Sequence, residues 1–358
     1  MSAWRYFSAY SIPGFALLGV FVGGLFSWLT VVVVFVLIPL AELIVGRNTE
    51  NLDEDAEAKA KNSLLYSLVL WLFVPIPFIL TLLFGYRFNA GAYQPYESLG
   101  ILLSIALSSG GIGITIAHEL VHRKSLVEQY LGRIILLSVF YMHFAIEHVR
   151  GHHALVATDE DPATARRGQS YYAFWWTSVW GQWISAWELE AKRLRKLGFS
   201  PIHYKNEMIH FTLFQSAYLA ILGWLFGWIF TLIAVAIGVA AFSLLEGVNY
   251  IEHYGLERDL LENGRYEKVG NHHSWNSDHV ISRMLLFELT RHSDHHAVAS
   301  RHYQILRSID ESPQLPTGYP GMILLALVPP LWFRVMDPIV QEFDRRSSER
   351  PEQSSFSL

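Results

Sequence analysis

The sequence has no cysteine and carries little charge. Without cysteine, the 358 residues cannot form a disulfide, a thiolate zinc site or a protein-bound iron–sulfur cluster. Any electrons that the chain uses are therefore expected to come from another protein or from a domain outside this sequence. Only 16% of the residues are charged, against roughly a quarter in an ordinary soluble domain. We therefore expect lipid to surround much of the chain.

Basic clusters of the kind that bind nucleic acid are also missing. The formal net charge is −5, no segment forms a basic domain, and the aromatic residues lie within apolar stretches rather than beside lysines and arginines. Nucleic-acid binding proteins need a concentrated positive surface. The composition therefore argues against a nucleic-acid partner.

Long stretches without Asp, Glu, Lys or Arg indicate where the chain crosses a membrane. The four stretches that we take as candidate crossings are residues 6–41, 62–86, 98–117 and 211–245. About 20 apolar residues span the hydrocarbon core of a bilayer. The second and third stretches therefore predict one crossing each, and the first and fourth are long enough for two.

Glycines favour a turn inside each of the two longer stretches. The first stretch has a break near residues 24–28, and the fourth contains Gly223 and Gly227. Each long stretch is therefore predicted to fold back as a helical hairpin. The expected fold is an all-α integral membrane protein with six transmembrane helices and a cytoplasmic, helical, histidine-rich catalytic region.

The charge distribution predicts which side of the membrane the polar sections occupy. If the N-terminus is cytoplasmic, the second, fourth and sixth spans all end on the cytoplasmic side. The polar section 118–210 contains 11 Lys and Arg residues, whereas the predicted outer loop 87–97 contains one. This asymmetry follows the positive-inside rule. Both polar sections are therefore expected in the cytoplasm.

Five sections are expected along the chain: transmembrane helices one to four, a first cytoplasmic section, helices five and six, a second cytoplasmic section and a flexible tail. Their bounds are 1–117, 118–210, 211–250, 251–343 and 344–358.

Two segments of the cytoplasmic sections are apolar without being predicted to span. Residues 171–187 contain five tryptophans, which favour the headgroup layer, so this segment is predicted to lie on the bilayer surface. Residues 319–333 are too short to cross and predict a cap or an interfacial helix.

Nine histidines lie in four clusters near or beyond the ends of the apolar stretches. Within the clusters, spacings of three or four residues place the imidazoles on one face of a helix. The nine residues are His118, His122, His148, His152, His153, His253, His292, His295 and His296. Imidazole nitrogen is a common ligand of transition metals, and nine nitrogens are too many for one ion. The clusters therefore predict a site for two metals.

Acidic residues accompany these clusters. Metal-bound histidines usually donate their second N–H to a carboxylate or a carbonyl, so supporting acids are expected; a bridging role for them stays open. The candidates are Glu119, Glu147, Glu246, Glu252, Asp278 and Asp294.

The histidine clusters resemble the histidine boxes of the membrane-bound alkane 1-monooxygenases, in order and in spacing. The matching segments read HELVH at 118–122, EHVRGHH at 147–153, NYIEHYG at 249–255 and RHSDHHA at 291–297. Arg123 stands where the family usually has lysine, and Thr290 where glutamine often precedes Arg291. Neither departure changes a histidine.

The resemblance implies a non-haem di-iron enzyme that uses O₂ to hydroxylate the terminal carbon of medium-chain n-alkanes to primary alcohols. The nine histidines would carry over as the iron ligands. In that family the electrons come from rubredoxin, which an NADH-dependent reductase reduces. The expected location is the bacterial inner membrane, with the catalytic site at its cytoplasmic side.

An alkane is expected to reach such a site from the lipid. At about 0.8 kcal/mol per methylene, an eight-carbon alkane favours the bilayer over water by roughly 6 kcal/mol. An apolar channel that ends at the metals would present the end of the chain first. Val69, Trp71, Ile112 and Ile116 are its predicted lining.

Two other functions compete with this interpretation. A membrane fatty-acid desaturase or related hydroxylase also uses histidine boxes, but its second box typically reads H-x-x-H-H, and here it reads H-x-x-x-H-H. A metal transporter would place ionisable residues inside its spans, and the four apolar stretches contain none.

The remaining histidines and the charged loops have simpler interpretations. Surface or packing positions are expected for His143, His203, His210 and His302, and structural or supporting roles for His272, His273 and His279. The acidic loop near Asp159 and the charged run 192–196 are expected to be solvated. The basic run is also a candidate docking site for an acidic rubredoxin.

Overall fold

The computed structural model describes residues 2–348, and within them it contains helices and three isolated β-bridges but no strand. The predicted all-helical class is thus confirmed. The first part of the chain, up to the first histidine box, forms the helical segments Ala3–Tyr10, Ser11–Val22, Gly24–Trp28, Leu29–Val32, Val33–Leu37, Ile38–Val45, Glu54–Asn62, Leu64–Trp71, Ile76–Asn89, Pro95–Leu107, Ser108–Ile114 and Thr115–Val121. The remainder forms Leu126–Ser138, Phe144–Glu147, His148–His152, His153–Leu155, Tyr171–Lys196, Glu207–His253, Val280–Leu285, His292–Ala297, Tyr303–Ile305, Tyr319–Ala326 and Pro329–Ser348.

Four continuous helical stretches in the described residues are long and apolar enough to cross a membrane. They are Gly24–Val45, Leu64–Asn89, Pro95–Val121 and Glu207–His253. A fifth arises if Tyr319–Ala326 and Pro329–Arg346, bent by 119°, count as one broken span. The chain is therefore a multi-pass helical protein by length and composition.

The first predicted hairpin turns where glycine allows a left-handed backbone. Gly23 and Gly24 have φ angles of 70° and 57°, and the Glu97 carboxylate accepts a hydrogen bond from the Gly24 N–H. The helix before this turn is irregular, with a 3₁₀ segment Ala3–Tyr10 preceding the α-helix Ser11–Val22.

The long helix Glu207–His253 doubles back at Gly227. This residue has φ 83° and ψ 168°, a backbone conformation that lies outside the helical region. Tyr218, before the break, packs on Phe140 at 5.6 Å between ring centroids, and a Cβ at Gly238, after the break, would lie 2.6 Å from the same ring. A straight helix would separate residues 218 and 238 by about 30 Å. The two halves therefore run antiparallel, as the glycines predicted.

Within residues 2–348, three π-helical turns interrupt the helices, at Val33–Leu37, Ser108–Ile114 and His148–His152. Such turns occur frequently at functional sites because each extra residue rotates the side chains that follow. One lies on a candidate span, one lies just before the first histidine box, and one contains two histidines of the second box.

Gly110 allows the π-turn Ser108–Ile114 to approach the long helix Glu207–His253 closely. A Cβ at Gly110 would lie 2.4 Å from the carbonyl oxygen of Ala241, whereas a Cβ at its neighbour Gly111 would meet nothing within 4 Å. We expect Gly110→Ala to destabilise the protein by about 1–3 kcal/mol, because the two backbones must separate. Thermal denaturation in detergent checks this. Gly111→Ala is the matched control, and equal midpoints for the two variants would contradict the account.

The tryptophan-rich segment forms the single helix Tyr171–Lys196. One face is buried through Phe174, Ser178 and Gln182, and the opposite face exposes Trp176 and Trp180. The buried face packs against the second half of the doubled-back helix, where the Trp175 indole donates to Ser243 Oγ. The exposed tryptophans suit the membrane interface that the sequence predicted for this segment.

The apolar C-terminal segment forms two helices rather than one cap. Tyr319–Ala326 ends before Pro329, and the second helix Pro329–Ser348 leaves at a sharp angle. Trp332, fully buried, packs on Tyr250 at 4.9 Å between ring centroids. Residues 344–348 of the predicted flexible tail continue this helix; the rest of that tail lies outside the described residues.

Candidate metal centre

Four separate segments carry the nine histidines to one place. His118 lies in the helix that ends at Val121, with His122 directly after it. The second box occupies a π-turn, His253 of the third box is the last residue of the long doubled-back helix, and the fourth box forms its own short helix, His292–Ala297.

The structure divides the nine histidines into two compact groups. In each group one ring nitrogen from every residue lies within 4.8 Å of the others. The five-histidine group comprises His118, His122, His148, His153 and His295. The four-histidine group comprises His152, His253, His292 and His296.

The spacing of the ring nitrogens fits metal coordination. In the first group, His153 Nε2 lies 3.1 Å from His148 Nε2 and 3.1 Å from His295 Nε2. In the second group, His292 Nε2 is 2.9 Å from His296 Nε2 and 3.3 Å from His253 Nε2. Two nitrogens bound to one ion at about 2.1 Å each, at right angles, lie about 3 Å apart. Both groups therefore have the dimensions of a metal site.

The protonation of the rings also suits a metal. Removal from water lowers the pKa of His122 to about 3, with the neighbouring His152 adding to the effect. Burial and neighbouring imidazoles likewise hold the pKa of His148 and His295 well below the usual value. A neutral imidazole presents the lone pair that a metal needs. His152 Nε2 is buried without a hydrogen-bond partner, as expected of an atom that faces an ion.

The π-turn explains how one box serves both groups. His152 and His153 are consecutive, yet His152 belongs to the four-histidine group and His153 to the five-histidine group. In the π-turn the His153 N–H donates to the His148 carbonyl, five residues back, so His148 and His153 share one face and His152 turns to the other group. The groups are neighbours, since the rings of His153 and His296 are 4.5 Å apart between centroids.

Asp161 is the carboxylate that holds His152, and the sequence did not single it out. Its Oδ2 accepts a hydrogen bond from His152 Nδ1 at 2.8 Å, and it also accepts from the Thr164 hydroxyl and the Ala163 N–H. Burial raises the pKa of Asp161, but His152 and these hydrogen bonds outweigh that effect and leave the pKa lowered. The solvated acidic loop expected near Asp159 thus contains a buried residue with a site role.

Glu252 is the predicted supporting acid that contacts a site histidine. Its Oε2 lies 3.2 Å from His292 Nε2, and its Oε1 accepts a 2.5 Å hydrogen bond from the Tyr319 hydroxyl. Tyr319 therefore fixes the direction of the carboxylate beside the four-histidine group.

The other five predicted acids bind elements that carry the site. Glu246 accepts from Tyr141, Ser178 and Gln182. Glu147 lies 3.4 Å from the Ser185 hydroxyl. The remaining three stabilise segments around the boxes: Glu119 pairs with Arg123, Asp278 with Arg291, and Asp294 with Arg301.

An apolar cavity leads to both histidine groups. His118 and His148 of the first group and His292 of the second lie at its wall. Most of the remaining lining is aliphatic. It comes from three of the candidate spans, and also from the helix Val280–Leu285 with the residues after it and from the helix Tyr319–Ala326.

Of the four residues predicted to line a channel, Ile112 lies on this cavity. Val69 and Ile116 are fully buried elsewhere in the core, and the Trp71 indole donates to Glu128 at 3.2 Å. Periodicity alone does not show which apolar residues border a void.

The histidines outside the two groups have other partners. His273 Nδ1 accepts the Gly270 N–H at 2.8 Å, so its Nε2 carries the proton and donates to Glu267. His279 contacts the Ser277 hydroxyl, and His302 contacts Arg123. His143 is buried beside Tyr141. These contacts are structural.

Comparison with known proteins identifies the family. The chain is 44% identical over 323 residues to alkane 1-monooxygenase 2 of Pseudomonas aeruginosa, covering 88% of this chain and 84% of that protein. It is 38% identical over 318 residues to alkane 1-monooxygenase 2 of Alcanivorax borkumensis, covering 88% and 83%. The chain belongs to the alkane 1-monooxygenase family. The resemblance seen in the histidine boxes is thereby confirmed.

More distant comparisons place this alkane 1-monooxygenase family in a wider group. The fatty acid desaturase family model matches residues 96–326, which include all four boxes. The chain is also 30% identical to the xylene/toluene monooxygenase hydroxylase component of Pseudomonas putida, covering 97% of this chain and 91% of that protein.

Arg123, a departure from the usual alkane 1-monooxygenase pattern, joins two segments of the site. Its Nη2 lies 2.7 Å from Glu119 Oε1, and its Nη1 lies 2.9 Å from His302 Nδ1. A guanidinium offers separate nitrogens for two partners, whereas the lysine ammonium is a single point. Arginine therefore ties the first box to the loop that follows the fourth box. The second departure, Thr290, is buried beside the fourth box, and its carbonyl accepts the Ser277 N–H.

Proposed function

We propose that this chain hydroxylates the terminal methyl group of medium-chain n-alkanes to primary alcohols at a site with two irons. One alkane, one O₂, two electrons and two protons would give one alcohol and one water. The observation that carries the proposal is the apolar cavity, because it brings a hydrocarbon chain against histidines of both groups. Relatives with 44% and 38% identity are named alkane 1-monooxygenases.

In this proposal the nine histidines hold the irons, five on one and four on the other. Bound iron would supply the activation of O₂. The protein binds the alkane, directs its end to the metals and keeps water away. Leu107, Ile114 and Phe144 wall the inner cavity without offering a polar atom from their side chains. Asp161 fixes the ring of His152, and the Glu252 carboxylate lies beside the metal-facing nitrogen of His292.

Six membrane crossings with a cytoplasmic site are part of the proposal. The segment Ala3–Val22 supports a first crossing, because eight 3₁₀ and twelve α-helical residues together extend about 34 Å. The two halves of the helix broken at Gly227 support the last two, with 20 and 26 residues, or about 30 and 39 Å. The 11 Lys and Arg residues of 118–210 favour the cytoplasm for the site. The inner membrane of a bacterium is the proposed location.

Rubredoxin, reduced by its NADH-dependent reductase, is the proposed electron donor. The basic end of the tryptophan-rich helix exposes Lys192, Arg195 and Lys196. An acidic protein would be steered towards this surface.

Fatty-acid desaturation is the second candidate, favoured by the family model that matches residues 96–326. The two reactions give different products. We would supply purified protein with reduced rubredoxin, octane and ¹⁸O₂ and analyse the products by mass spectrometry. The proposal expects 1-octanol that carries ¹⁸O. Desaturation would instead convert an acyl substrate to an unsaturated product without adding oxygen.

The same assay includes p-xylene, because one relative is named a xylene/toluene monooxygenase component. Turnover of p-xylene without turnover of octane would contradict the alkane assignment and would leave the hydroxylation chemistry in place.

A further inference from the structure

Two adjacent residues with large side chains adopt a left-handed backbone just before the fourth histidine box. Phe287 and Glu288 have φ angles of 52° and 56°. A Cβ makes this conformation unfavourable, and such residues keep it where the surrounding structure enforces it. They lie in the turn 286–291, which joins the helix Val280–Leu285 to the helix His292–Ala297. Contacts with the rest of the fold must therefore hold this turn.

The Glu288 carboxylate is the centre of those contacts. Its side chain is 1% exposed. Oε2 accepts a hydrogen bond from Arg283 Nε at 2.7 Å, and Oε1 accepts one from the Tyr6 hydroxyl at 2.9 Å. Oε1 also pairs with Arg5 Nη2. Charge-assisted bonds to both oxygens fix the direction of the carboxylate.

The Phe287 side chain is held by the same part of the chain. Its ring stacks on Tyr6 at 5.8 Å between centroids and meets Tyr303 edge-on at 5.4 Å. All three rings are buried. Tyr6 and Arg5 belong to the N-terminal 3₁₀ segment Ala3–Tyr10. The beginning of the chain therefore packs on a turn 282 positions later in the sequence.

The turn leads directly into the four-histidine group. The Arg291 N–H donates to the Glu288 carbonyl at 2.9 Å, and Arg291 immediately precedes the helix that His292 begins. His292 Nε2 lies 2.9 Å from His296 Nε2 and 3.3 Å from His253 Nε2. A change of the Glu288 backbone out of the left-handed conformation would therefore move His292 away from its group.

We propose that Glu288 is a positioning residue for the metal of the four-histidine group. Its bonds to the N-terminal segment and to Arg283 keep the turn left-handed, and this turn aims His292 at the metal. The inference rests on the metal centre of the proposed function and adds a residue that lies outside both histidine groups. The segment Ala3–Tyr10 thereby contributes to the site as well as to the proposed first crossing.

The test follows iron loss from the iron-loaded full chain in detergent, without oxygen and with a ferrous chelator in excess. The unchanged protein should release both irons slowly. Glu288→Ala should release one iron about 10–100-fold faster, the range for residues that support a ligand. It should release the other iron at the unchanged rate, because the five-histidine group does not include His292.

A second substitution shows which iron responds. In a protein that already carries His292→Ala, iron is expected only in the five-histidine group. Adding Glu288→Ala to this protein should leave the release of that iron unchanged. Faster release would contradict the proposal, because the substitution would then loosen the whole protein.

Glu288→Gly separates the role of the backbone from that of the carboxylate. Alanine and glycine both lack the carboxylate, but glycine adopts a φ near 56° without strain. Glu288→Gly should therefore keep its iron about threefold to tenfold longer than Glu288→Ala. Equal rates would show that the left-handed turn does not position His292.

Glu97→Ala is the matched control. The Glu97 carboxylate also fixes a turn of the N-terminal part, since it accepts the Gly24 N–H, and this variant should release iron like the unchanged protein. The thermal midpoint is measured for every variant. If Glu288→Ala does not fold, Tyr6→Phe removes one hydrogen bond to Oε1, keeps the ring and should release one iron about twofold to tenfold faster.

Failure of this inference and failure of the proposed function give different results. If Glu288→Ala retains both irons like the unchanged protein, Glu288 is not a positioning residue, and 1-octanol formation by the unchanged protein would leave the proposed function intact. If the unchanged protein binds no iron and forms no 1-octanol, the proposed function and this inference fail together.

Discussion

Replacing His292 with alanine is expected to leave the protein with one iron instead of two and to lower 1-octanol formation by at least about a hundredfold, since even residues that only support a ligand cost 10–100-fold. His292 Nε2 lies at the centre of the four-histidine group, 2.9 Å from His296 Nε2 and 3.3 Å from His253 Nε2. The five-histidine group does not include it. Metal analysis of purified protein and product quantification check both parts of this expectation.

His210→Ala is the control for this substitution. His210 is exposed, and its side chain contacts the Tyr204 carbonyl, far from either histidine group in the sequence and outside both of them. The control should keep two irons and full activity. A His292→Ala protein that retains both irons would show that the four-histidine group is not a metal site.

Asp161→Asn is expected to weaken iron retention and turnover by about 10–100-fold. The carboxylate accepts the His152 Nδ1 proton, which leaves Nε2 as the nitrogen that faces the four-histidine group. The asparagine amide keeps the shape of the carboxylate but carries no charge. When its NH₂ group faces His152 Nδ1, it cannot accept the imidazole proton. The measurement is the rate of iron loss to a chelator, followed together with 1-octanol formation.

Asp159→Asn tests whether the loop alone accounts for such an effect. Asp159 lies two residues away, is exposed and pairs with Arg166 at the surface, so its variant should retain iron like the unchanged protein. Equal iron loss in the two variants would mean that Asp161 acts through the loop conformation and not through His152.

The sequence predicted the helical class and the histidines that meet, because both depend on local patterns. Apolar stretches of membrane length and imidazoles at helical spacing are visible without tertiary structure. The turn at Gly227 was also predictable, since a glycine can adopt the positive φ that ends one helix and begins another.

The division of the histidines into five and four was not predictable. It depends on the π-turn at His148–His152, which places His148 on the same face as His153, five residues later. Regular helical spacing would place His148 and His152 on one face, yet they belong to different groups. No local pattern distinguishes a π-turn from the helix around it.

Asp161 and the cavity wall were missed for a related reason. Asp161 follows two exposed acids, so its neighbours indicate a solvated loop, and only the tertiary fold buries it against His152. The cavity wall draws on segments as distant as Val34 and Ile323. Such a wall follows from how helices pack and not from the periodicity of any one of them.

The measurement that tests the central claim most directly is metal analysis of the purified protein combined with X-ray absorption at the iron edge. The account predicts two irons per chain, each surrounded mainly by imidazole nitrogen at about 2.1 Å, and the loss of one of them in His292→Ala. A single zinc, or one iron that survives the loss of His292, would contradict it.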